Sequence, residues 1–159
     1  MNRFITSRAK LTGVIGFLAI CLMACVPPTS SLSDIEKRDA KFLAAYCSVD
    51  VHVAEKGLLD YVKEFEGLQQ RGVVGWDYDH VFKVAHARLA VLYKQTGRTN
   101  EALRHFQIGV SHRNTAKVRR EGHAFTGSME EIETVILKLD TPLDVKWRKH
   151  LKKDSNGLP

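Results

Sequence analysis

The sequence predicts an all-α protein, a short array of helical hairpins, and three observations carry that prediction. Apolar residues recur at three- and four-residue intervals through successive stretches between Ile35 and Leu151. Side chains suited to capping helix starts precede several of these stretches, and glycines or prolines separate them. The one strand-like pair, Val73-Val74, has no partner sequence near it.

The order begins with a targeting segment. Arg3, Arg8 and Lys10 form a basic front end without an acid, and Leu11 to Ala24 follow as a 14-residue apolar run. A helix that spans a bilayer needs about 20 such residues, whereas the core of an export signal takes about 7–15. The tetrad Leu22-Met23-Ala24-Cys25 resembles the bacterial lipobox, with an aliphatic residue three places before the cysteine and a small one directly before it. The resemblance implies a signal helix cleaved before Cys25, a diacylglycerol on the Cys25 thiol and a membrane reached through that lipid. Several acyl chains anchor a protein stably where one does not. Val26 is not the aspartate associated with inner-membrane retention in enteric bacteria, so the implied location is the periplasmic face of an outer membrane.

Pro27, Pro28, Thr29, Ser30 and Ser31 cannot continue a helix and read as an extended tether. The chain thus divides into a signal at 1–24, a lipidated cysteine and tether at 25–33, a helical domain at 34–153 and a disordered tail at 154–159. Loss of the signal removes three cations and no acid, lowering the formal charge from +6 to +3, so the basic balance is no argument for nucleic-acid binding. The 135 residues left suit one domain. Cys47 is then the one cysteine neither removed nor lipidated, which excludes an intrachain disulfide and leaves it either a small buried side chain or a thiol that pairs between chains.

Ser33-Asp34-Ile35-Glu36 has capping-box spacing, and Ile35, Phe42, Leu43, Tyr46, Val49 and Val53 share one face of a first helix. Gly57 reads as the break before a second, through Leu58, Leu59, Val62, Phe65 and Leu68. Arg71 to Gly75 reads as a loop, and Asp77 or Asp79 as the cap of the helix containing His86. Leu89, Ala90 and Tyr93, then Gly97, then Ala102 and Phe106 follow. This pattern resembles one tetratricopeptide repeat, a helix–turn–helix unit of about 34 residues, here covering Lys83 to Ala116. His86 and Asn114 stand where the family pattern has tryptophan and proline.

The resemblance implies that Ala90 and Ala102 let two helices approach, that Gly97 ends the first and that Thr99 or Asn100 caps the second. It also implies a concave groove lined by Val84, Ala87, Val91, Lys94 and Gln95 for a protein or peptide partner. Ser128 opens a further helix through Met129, Ile132, Val135, Ile136 and Leu139. Thr141-Pro142 opens a last one through Leu143, Trp147 and Leu151. The intervening loop, about 112–127, is basic at His112, Arg113, Lys117, Arg119 and Arg120.

No metalloprotease, paired-cysteine, phosphate-loop or nucleophile-elbow motif is present, and Asp77, Asp79 and His80 fit helix capping better than metal ligation. The expectation is therefore a non-catalytic lipoprotein without metal or cofactor, an interaction module of the bacterial envelope. The alternative is an assembly lipoprotein, pilotin-like, that works through its tether and outer surface.

Overall fold

The structure is a computed structural model, and residues 31–112 and 128–155 are described. They form six α-helices and one 3-10 turn, with no β-strand. The helices are α1 (Leu32–Tyr46), α2 (Val51–Gln70), α3 (Tyr78–Gln95), α4 (Thr99–Ser111), α5 (Met129–Asp140) and α6 (Lys146–Ser155). The domain is all-α, as the apolar periodicity requires.

Their ends follow from particular side chains. Asp77 and Ser128 accept from the backbone amides of His80 and Glu131 and so start α3 and α5, as expected. α2 and α3 end alike, on glycines held left-handed at Gly72 (φ 68°) and Gly97 (φ 77°). After each glycine the next amide, of Val73 or Arg98, reaches back to the carbonyl of Leu68 or Tyr93, which satisfies groups the helix end would leave bare.

Four boundaries differ from the expectation. Ser31, not Ser33, caps α1, accepting from the Asp34 amide at 3.3 Å. The first break falls at 47–50, because Asp50 accepts from the His52 amide and restarts the chain as α2, leaving Gly57 inside that helix. Arg98 occupies the cap position of α4 with no side-chain cap bond, so neither Thr99 nor Asn100 caps it. Thr141-Pro142 starts only the 3-10 turn Thr141–Leu143, and Asp144, left-handed at φ 50°, separates it from α6. Helix α6 continues to Ser155, and the remainder of the expected tail lies outside the described residues.

α3 is the axis of the packing. Ten of its 18 residues are buried, on all sides rather than one, which marks a helix enclosed by neighbours. It packs against α2, α4 and α5, while α1 packs on α2. The main core joins Phe42 and Tyr46 of α1, Leu58 and Phe65 of α2 and Leu89 and Leu92 of α3, with Trp147 of α6. A smaller core sets Ala87 and Val91 of α3 against Ile132 and Ile136 of α5.

Two glycines allow close crossings. Gly109 of α4 lies against the α3 backbone, where a Cβ would stand 3.4 Å from the Lys83 carbonyl. At Gly57 a Cβ would come within 2.5 Å of the Ala45 Cβ, so α1 and α2 meet where neither carries more than a methyl. Glycine to alanine inside a helix ordinarily gains about 1 kcal/mol. For Gly57→Ala the sign reverses, because neither methyl can rotate away, and urea denaturation should show a net loss of about 1–3 kcal/mol. A stabilised variant would refute the crossing.

Candidate functional site

The five residues expected to line an open groove share one region of α3, but the chain itself covers it. Ala87 and Val91 are buried beneath Ile132 and Ile136 of α5, and Val84 packs at the edge of the same cluster. Lys94 donates to the Glu133 carboxylate at 2.8 Å, and Gln95 bridges Glu133 and Arg148. The groove expectation is corrected: α5, whose acids Glu130 and Glu133 face Lys94, occupies the face. Cys25 and the basic stretch from Arg113 to Arg120 lie outside the described residues.

Behind α5 is a buried ionic cluster. The Asp140 carboxylate accepts from Tyr46 Oη at 2.6 Å, Arg88 Nε at 2.9 Å and Arg148 Nη2 at 3.2 Å. Burial first, and then the Asp140 charge, push the Tyr46 phenol far above its ordinary range, so it stays a donor. Arg88 also lies 5.4 Å from the ring centres of Phe42 and Tyr46. The cluster is enclosed, and each member holds another in place. Cys47 is half-buried beside it, its thiol donating to the Leu143 carbonyl at 3.1 Å.

A second cluster, unexpected from the sequence, stacks three imidazoles between α3 and the end of α4. His86 and His105 share a hydrogen bond between their Nδ1 atoms at 2.9 Å, which requires one protonated and one bare nitrogen. His112 lies parallel to His86 at 6.3 Å and faces Asp79 at 3.4 Å. The register was nonetheless available: an antiparallel hairpin that apposes Ala90 with Ala102 also apposes His86, four residues before, with His105, three after. Burial, then the neighbouring His105 and His112, lower the His86 pKa to about 4. Among the described residues no group of three or more potential ligands is placed to hold a metal.

Among the described residues, one open surface lies on the outer side of α1 and α2. A groove of about 210 Å³ runs between them over Phe42, Ala45, Val53, Gly57 and Tyr61, and Val53 is 44% exposed. The close crossing at Ala45 and Gly57 forms its floor, and the rings of Phe42 and Tyr61, 4.6 Å apart, continue it. Its walls are charged. Arg38 and Lys41 rise on the α1 side, and Lys56, Asp60 and Glu64 on the α2 side, with Arg38 Nε donating to Glu64 at 2.8 Å. Positions 38, 41, 42 and 45 form one helical stripe, and 53, 56, 57, 60, 61 and 64 another, a stripe that the expected break at Gly57 concealed.

No family model matches the chain, and no curated protein or solved structure matches it.

The histidine stack gives a pH dependence whose sign is fixed. A histidine near 6.5 when unfolded and near 4 when folded takes up its proton in the unfolded chain first, so folding weakens as pH falls between those values. In urea denaturation the wild type should lose about 1–3 kcal/mol more than His86→Phe between pH 7 and pH 4. Equal losses in the two proteins would show that the His86 ring is not held neutral.

Proposed function

We propose that this chain is a lipid-anchored, non-catalytic interaction protein of the bacterial envelope that works through its outer surface. Its anchor is Cys25, and its place is the periplasmic face of the outer membrane. The observation that carries the choice of surface is the position of α5: Ala87 and Val91, the floor of the expected groove, lie beneath Ile132 and Ile136. An assembly role through the outer surface is therefore preferred to peptide capture along the inner face.

The hairpin of α3 and α4 supports a tetratricopeptide-like unit. Four positions of the family pattern, Leu89, Ala90, Tyr93 and Ala102, are buried, Phe106 is partly buried, and Gly97 makes the turn. α1 and α2 form a divergent second hairpin, and α5 packs on α3 over Ala87 and Val91. Closing the array with a helix that covers the inner face meets the demand that a short stack bury its own apolar surface.

Anchoring rests on the tetrad Leu22-Met23-Ala24-Cys25 and on the apolar run before it. Among the described residues no helix is long and apolar enough to cross a membrane, so attachment falls to the segment ahead of α1. The open α1–α2 groove, whose apolar floor and charged walls have the layout of a small interface, is the surface through which the domain makes its protein contact. The proposal includes no cofactor, metal or nucleic acid.

Metabolic labelling with a fatty-acid analogue tests the anchor. The wild type should carry the label, and Cys25→Ser should lack it and accumulate as uncut precursor. Label on Cys25→Ser would remove Cys25 from the account.

A further inference from the structure

The walls of the α1–α2 groove differ in charge, and their arrangement selects an occupant. Because the helices are antiparallel, Arg38 stands level with Glu64 and Phe42 with Tyr61, while the crossing at Ala45 and Gly57 lies further along. Arg38 and Lys41 make the α1 wall basic, and Asp60 and Glu64 make the α2 wall acidic at the same height. Lys56 sits nearer the α1–α2 turn, paired with Asp60.

We propose that a second copy of this chain occupies the groove, in a twofold dimer whose axis runs along it. This operation lays each α1 over the other copy's α2. The basic wall of one copy then faces the acidic wall of the other at matching height, twice over, as an isologous interface requires. An axis across the groove instead sets α1 on α1, cation against cation. The apolar floors, Phe42, Val53 and Tyr61 with the two small residues, meet in the middle.

The chain path selects the same arrangement. With the axis along the groove, both α1 helices start at the same end of the dimer. Six residues separate Cys25 from Leu32, and the seven Cα-to-Cα steps reach at most about 25 Å, so both anchors enter one membrane. The crossed arrangement puts them at opposite ends. This second argument rests on the anchoring proposed above; the charge argument does not. The groove is small, and attachment to one membrane raises the effective concentration of the contact.

Sedimentation velocity of the full-length protein in density-matched detergent, at about 50 μM, tests the dimer. The wild type should sediment as a dimer, and Cys25→Ser should do so equally, since the contact is between protein surfaces. Val53→Glu, at an exposed floor position, should sediment as a monomer with unchanged helical circular dichroism. Lys41→Glu should weaken dimerisation at least tenfold, and adding Asp60→Lys should recover most of that loss. A monomeric wild type, or a dimer lost in Cys25→Ser, would overturn the proposal. So would a Val53→Glu dimer or a charge swap that restores nothing. Fatty-acid label on Cys25→Ser sinks the anchor alone and leaves the sedimentation result to decide the dimer.

Discussion

One carboxylate, that of Asp140, sets the course of the chain. It is fully buried at the end of α5 and accepts from Tyr46 on α1, Arg88 on α3 and Arg148 on α6. Four helices therefore converge on two oxygen atoms. A buried charge without partners costs several kcal/mol, so any packing that pulls one of these helices away leaves an ion in an apolar interior. The attraction between the members is offset largely by their desolvation. What the cluster adds is a penalty on any arrangement that leaves one of its buried charges without a partner.

From that constraint the distribution of surfaces follows. With its end fixed at Asp140, α5 runs back across α3 so that Ile136 and Ile132 cover Ala87 and Val91, and Glu133 reaches Lys94. α6 is held by Arg148 and by the Trp147 amide, which donates to the Ser48 carbonyl at 2.9 Å. Its indole is buried at the edge of Tyr46. The turn between α3 and α4 is tied to α2 by Glu55, which accepts from Arg98 and from the Tyr93 hydroxyl. The inner side is thus closed on itself. Among the described residues nothing covers the outer side of α1 and α2, and its apolar floor and divided charge are what the proposed dimer uses.

Much of this was legible because helix formation is local. Asp77, Gly97 and Ser128 act on amides and carbonyls within a few residues, and the apolar spacing of Leu58, Val62, Phe65 and Leu68 reports one buried face directly. Local signals fail where two compete. Ser31 and Ser33 both suit a cap, and Asp50 outcompetes Gly57 as a break, since a glycine costs a helix little when it relieves a crossing. The Asp140 cluster was not legible at all. Tyr46 and Asp140 are 94 residues apart, and Arg88 and Arg148 look like two more surface cations until the tertiary fold brings them together. The covered face of α3 was missed for the same reason: the spacing of Ala87 and Val91 shows that they face something, and only the path of α5 shows what.

The claim that Asp140 organises the fold is tested most directly by equilibrium guanidinium denaturation of two variants beside the wild type. Asp140→Ala strands two arginines in the interior, and the account predicts a loss of about 3–5 kcal/mol. The triple variant Asp140→Leu, Arg88→Met and Arg148→Met removes all three charges and should recover most of that loss while unfolding in a single transition. A loss below about 1 kcal/mol in Asp140→Ala would contradict the account, because the surrounding charges would then be solvated rather than enclosed.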